Sequence, residues 1–145
     1  MTTKGLVYKD FELTPQYLGY EHLMGSLLIF NKEEYAIACY KKDNQYLLVF
    51  EKLLRMEESK PIWELLDTVR LVAKNSNEWR IDAQTECQSM TDSTLQFVSV
   101  FKDDILTDTF KAEKAWKFDF INRKMIPIST IDIECIAEEG CGSEE

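Results

Sequence analysis

Residues 34–54 read EYAIACYKKDNQYLLVFEKLL, two runs rich in Tyr, Ile, Leu, Val and Phe around the polar break Lys41, Lys42, Asp43, Asn44. Two such runs about a short polar break describe an antiparallel hairpin. The side-chain period of two puts Tyr35, Ile37 and Cys39 on one side of the first strand and Ala36, Ala38 and Tyr40 on the other. Both sides are apolar, as expected of strands in the middle of a sheet, with one face against helices and the other partly covered.

Upstream, Thr14 and Pro15 look like a cap followed by a first-turn proline. Tyr17, Tyr20, Met24, Leu27 and Leu28 then recur at spacings near three or four. This pattern predicts a helix within residues 14–30, weakened by Gly19 and Gly25 and able to finish as a strand at LLIF. Downstream, Ser59 stands as a candidate helix cap before Pro61, and Ile62, Leu65, Leu66 and Val69 have helical spacing. The β-branched Thr68, Val69 and Val72 favour instead a short turn leading into a strand.

The remaining chain alternates in the same way. Trp79, Ile81 and Ala83 interleave with Arg80, Asp82 and Gln84, and LQFVSVF at 95–101 supplies a second strand for an antiparallel pair. Trp79 and Ile81 are expected near Phe97 and Val98 if the register permits. Trp116, Phe118 and Phe120 mark a buried face, INRK turns the chain, and Ile131, Ile133 and Cys135 form a one-faced strand with Asp132 and Glu134 on its reverse. These pieces predict an α+β fold: a mainly antiparallel sheet of about five to seven strands with an N-terminal helix. Residues 1–138 are read as one domain and 139–145 as a flexible acidic tail. A mostly β barrel-like sheet, or a second helix over residues 105–116, are the alternatives.

A chain of 145 residues with 45% hydrophobic content buries a core large enough to need neither a metal nor disulfides, so no cofactor is expected. Cys39, Cys87, Cys135 and Cys141 lack the paired short spacings of a metal knuckle. They are read as thiols in a reducing compartment, with packing roles for Cys39 and Cys87. Asp10 and Glu12 interrupt any apolar signal segment, and no apolar run approaches membrane-spanning length. A cytoplasmic protein without membrane association is expected.

Seventeen Lys and Arg stand against 26 Asp and Glu, for a net charge of -9, which disfavours direct nucleic-acid binding. Residues 73–145 carry 8 basic and 15 acidic groups, so most of the surplus falls there. Asp103, Asp104, Asp108, Asp132 and Glu134 are accordingly the candidate protein-binding residues, able to steer a basic partner.

Catalytic patterns fail on inventory. His22 is the single histidine, and there is no GxxxxGK[ST] phosphate loop, GxGxxG turn or GxSxG elbow. Asp82 with Glu86, or Asp103 with Asp104 and Asp108, could supply paired carboxylates for acid/base or magnesium chemistry, and such pairs are common in acidic chains. The reading favours a non-enzymatic protein-binding module, in one form an inhibitor or immunity-type protein that neutralises a basic toxin or nuclease. The alternatives are a small-ligand protein or enzyme with a pocket lined by Tyr20, Tyr35, Trp63 or Trp116, and a homodimeric structural protein.

Overall fold

Alternation of apolar side chains through residues 34–54 places this segment at the centre of a five-stranded antiparallel sheet. Its strands are β1 (Val7–Tyr8), β2 (Glu21–Phe30), β3 (Glu33–Lys42), β4 (Gln45–Glu57) and β5 (Lys60–Val72), in the order β1-β5-β4-β3-β2. The computed structural model describes residues 5–74, 79–102 and 109–136. The chain forms two compact units, residues 1–76 with 119–125, and residues 77–118 with 126–145.

In the first unit, β3 and β4 pair from Tyr35 opposite Lys52 to Lys42 opposite Gln45, so the hairpin closes at Asp43 and Asn44. Residues Tyr35 to Tyr40 are all buried, as expected of a strand covered on both faces. The cover is aromatic rather than helical. On the Ala38 and Tyr40 side lie Leu47, Val49 and Leu65, covered by Tyr8, Phe11, Tyr17 and Tyr20 from the N-terminal segment. Phe11 stacks on Tyr17 at 4.2 Å and on Tyr40 at 4.5 Å. On the Tyr35 side, Phe120 meets Phe30 at 4.6 Å, Tyr35 at 4.8 Å and Phe50 at 5.7 Å. Each such ring contributes about 1.5 to 3 kcal/mol by leaving water.

The N-terminal helix expected within residues 14–30 is absent, and the described residues contain no α-helix at all. The α+β expectation is therefore corrected to an antiparallel β architecture, with twelve strands among the described residues. Two 3-10 turns, Phe11–Leu13 and Pro15–Tyr17, precede β2. Thr14 caps backwards: its hydroxyl donates to the Phe11 carbonyl at 2.8 Å, closing the preceding turn instead of opening a helix. Gly19, at φ +93, then reverses the chain in a conformation that side-chain-bearing residues avoid. From there the backbone groups of residues 21–30 that face β3 pair with it in an antiparallel ladder, which outweighs the helical spacing of Met24, Leu27 and Leu28.

Strands β4 and β5 form a second hairpin, so the favoured strand reading of residues 65–72 holds and Ser59 caps no helix. Glu58 and Ser59 form its two-residue turn at φ 51 and 68. Both central residues of such a turn are left-handed, a conformation that costs residues with a Cβ about 1 kcal/mol or more. Ser59→Gly is expected to raise the unfolding free energy by about 0.5 to 1 kcal/mol, read as a higher urea midpoint at unchanged slope.

The second unit carries strands from two further sheets. One orders β11 (Lys124–Ile128), β10 (Lys114–Asp119), β8 (Phe97–Lys102) and β6 (Trp79–Asp82); the other orders β7 (Cys87–Ser89), β12 (Ile133–Ile136) and β9 (Thr109–Lys111). The antiparallel pairing of β6 with β8 matches expectation, but its register sets Trp79 opposite Lys102 and Ile81 opposite Val100, away from Phe97 and Val98. Residues 109–111 and 114–116 are strand, which removes the alternative of a second helix there. Trp116, Phe118 and Phe120 are buried as the alternation suggested.

The cysteine expectation needs correction. Cys87 and Cys135 are directly opposed on β7 and β12 and joined as a disulfide. Their separation of 48 residues conceals the pairing, which arises only when the two strands meet. Both are fully buried in a cluster with Phe97, Phe101 and Ile133. Cys39 is a buried free thiol whose titration burial pushes up to about 12, in keeping with a packing role. Cys141 and the acidic tail at 139–145 lie outside the described residues.

Candidate functional site

Two of the five carboxylates singled out by charge are placed by the structure. Asp132 is exposed in the turn before β12, where its carbonyl accepts the Met90 N–H at 2.8 Å. Glu134 is half-buried on β12, between Gln88 of β7 and Lys111 of β9. The Lys111 ammonium donates to the Ile131 carbonyl at 2.9 Å. Asp103, Asp104 and Asp108 lie outside the described residues.

Asp82 and Glu86 do not form an acid/base pair. Asp82 is buried at the end of β6, and its two oxygens accept the backbone N–H groups of Gln84, Thr85, Glu86 and Cys87 and the Thr85 hydroxyl. A carboxylate with so many local donors is a turn anchor. It delivers the chain into β7 and so positions Cys87.

The pocket alternative also rearranges. Tyr20 packs with Tyr40 on one face of the five-stranded sheet, whereas Tyr35 stacks with Phe50 and Phe120 on the other. Neither lines the depressions described on the two units. Open depressions of about 340, 370 and 520 Å³ occur on the two units. The largest of these is lined by Glu113, Lys114, Trp116, Pro127, Ile128 and neighbouring residues of the second unit.

One ionisable site was not read from the sequence. Glu51 is buried on β4 between Ala36 and Leu65, and the buried Tyr8 hydroxyl donates to it. No Lys or Arg forms an ion pair with it among the described residues. Burial pushes its carboxyl up to about 7, against the opposing pull of the Tyr8 hydrogen bond. Tyr8 is held well above the ordinary phenol range, first by burial and then by the adjacent Glu51 charge. A carboxyl near neutrality suits acid/base chemistry, but this one sits under the N-terminal aromatic rings and lines none of the depressions above. A legible clue existed: Val49, Glu51 and Leu53 alternate along the strand, placing a charge where an apolar residue is expected.

The described surface holds a further feature on β2. Leu23, Leu27 and Ile29 are 47%, 64% and 56% exposed, and Phe30 is 37% exposed. A strand bulge between His22 and Met24 precedes a regular run from Met24 to Phe30. Among the described residues no group of three or more His, Cys, Asp or Glu side chains is arranged to hold a metal, and no helix is long and apolar enough to cross a membrane. Compared with models of protein families, with curated proteins and with solved structures, the chain matches none.

Proposed function

We propose that this chain is a non-enzymatic protein-binding module for a basic partner, acting as an inhibitor or immunity-type protein that neutralises a cationic toxin or nuclease. The carrying observation is the carboxylate surplus, 26 acidic against 17 basic groups, with Asp132 exposed and Glu134 half-exposed on the unit that holds most of it. A surface of one sign raises the local concentration of an oppositely charged protein and speeds its docking. The groups whose proton affinity is strongly raised, Tyr8, Cys39 and Glu51, are all buried, which supports recognition over surface chemistry. The bridge between Cys87 and Cys135 supports action in an oxidising compartment in preference to the reducing cytoplasm.

Affinity capture from native extract at low and moderate salt tests this reading. The expected result is a basic protein that is lost as salt rises and, if it is an enzyme or toxin, is suppressed stoichiometrically by the purified chain. The paired substitution Asp132→Lys with Glu134→Lys is expected to slow association roughly threefold to tenfold at low salt and to leave dissociation nearly unchanged. Association kinetics indifferent to both salt and charge reversal would sink the proposal. A tightly retained small molecule would favour the pocket alternative.

A further inference from the structure

Residues 5–20 cross the Ala38 and Tyr40 side of the five-stranded sheet as a strap, and Tyr8 meets Glu51 beneath it. At its start the strap is tied by backbone. β1 pairs two residues with β5, and this ladder is extended by the Gly5 N–H to the Leu65 carbonyl and the Leu65 N–H to the Leu6 carbonyl, both at 2.8 Å. The backbone hydrogen bonds that close the turns between Asp10 and Tyr20 join residues of the strap to one another. Beyond β1 its described ties to the sheet run through side chains: Phe11 on Tyr40, the Tyr20 hydroxyl between Gln45 and Arg70, and the Tyr8 hydroxyl on Glu51.

The last of these ties ends on a buried carboxyl. Glu51 is 6% exposed, flanked by Ala36 of β3 and Leu65 of β5. An ionised carboxylate can accept about four hydrogen bonds, and the side-chain donor described here is the Tyr8 hydroxyl alone. A charge formed there is short of donors and shut off from water. The other ionisable groups on this face do not neutralise it. β1 adds Lys9, which pairs with the exposed Glu57 at 3.9 Å, and the turns add Tyr17 and Tyr20. β2 adds His22, packed on Tyr40, while β3 adds Tyr40 itself, the exposed Glu34, and Lys42 over the Tyr20 ring. From β5 comes Arg70, exposed and bonded to Tyr20 and Gln45.

We propose that Tyr8 and Glu51 form a pH-sensitive latch: the neutral carboxyl holds the strap closed, and the carboxylate releases residues 5–20 from the sheet while β2 to β5 stay paired. Lifting the strap returns water to Glu51 without breaking the ladders between β2, β3, β4 and β5. Segments with few backbone ties are the ones that open locally. With the strap closed the carboxyl titrates near 7, and with it open near the ordinary 4.5. Opening is therefore insensitive to pH below 4.5, grows as pH rises between the two values, and levels off above 7. None of the acidic docking residues takes part, so this inference and the proposed function fail separately.

Amide exchange of the full chain, followed by NMR and expressed as protection relative to an unstructured peptide at each pH, tests the latch. From pH 5 to pH 8.5, protection at Gly5 and Leu65 is expected to fall roughly 30- to 100-fold. That exchange should respond only weakly to low urea, because releasing the strap exposes far less surface than global unfolding. Amides of the β3 and β4 ladder should stay better protected and respond strongly to urea. Glu51→Gln, which keeps an acceptor for Tyr8 but cannot ionise, should hold the protection of Gly5 and Leu65 constant over the same range. Tyr8→Phe keeps the ring and removes the donor, so it should deepen the fall; together with the wild-type series it decides the matter should Glu51→Gln not fold. Constant protection at Gly5 and Leu65 in the wild-type chain, or an equal fall in Glu51→Gln, overturns the inference. So does exchange at Gly5 and Leu65 with the same protection and urea response as the β3 and β4 ladder, since the strap would then open only when the whole sheet unfolds.

Discussion

Replacing Cys87 and Cys135 together by alanine lowers the unfolding free energy by about 4 kcal/mol, the largest single effect expected in this protein. The figure follows from the sequence separation of 48 between the two cysteines, a loop whose ends the bridge holds together in the unfolded state. Native contacts change little, because alanine keeps the site apolar among Phe97, Phe101 and Ile133. The strands joined there are short: β7 and β9 have three residues each and β12 has four. Ladders of that length are marginal without a covalent staple or strong packing. Urea unfolding measured with and without reductant checks the result. Reduced wild type should approach the alanine pair, and Cys39→Ala, which removes only the free thiol, should respond to reductant as wild type does. A loss below about 1 kcal/mol would show that the bridge contributes little to holding the unit.

The second large effect is a pH dependence that originates in Glu51. Its folded titration point near 7 lies above the usual carboxyl value of 4.5, so the native state binds the proton more tightly than the unfolded chain does. The sign follows directly from linkage. Stability is fullest below 4.5, where both states are protonated, and declines as pH rises through 7, where a buried charge must form beside Tyr8. The decline amounts to about 3 kcal/mol. Glu33, Asp92 and Asp119 shift in the opposite direction, so their contributions fade only on the acidic side. Glu51→Gln keeps an acceptor for the Tyr8 hydroxyl without a titrating proton. Urea titrations between pH 5 and pH 8.5 should therefore show a steep fall for wild type and a nearly flat profile for Glu51→Gln, which becomes the more stable protein at the alkaline end. Parallel profiles for the two chains would refute the assignment.

Much of the architecture is legible in single stretches of residues. Alternation of large and small side chains through Tyr35 to Tyr40 and the continuous apolar run from Tyr46 to Phe50, joined by a short polar break, specify a pair of strands buried on both faces. The same logic locates the β6 and β8 pair and the buried rings of Trp116 and Phe118. It fails over residues 14–30, where the spacing reads as a helix and the decision rests with β3, which pairs with the facing backbone groups of β2. The candidate surface is less legible: sequence shows how many carboxylates exist, but Asp82 looks no different from Asp132 until one is seen anchoring a turn and the other is seen exposed.

The strands of the central hairpin, their two-sided burial and the acidic surplus are readable from the residues alone, since each depends on neighbours along the chain or on simple counts. The pairing of Cys87 with Cys135, the burial of Glu51 beside Tyr8 and the place of β2 at the end of its sheet emerge from the folded chain. Those outcomes depend on which distant segments come into contact, and the identity of a partner tens of residues away leaves no periodic trace in either segment.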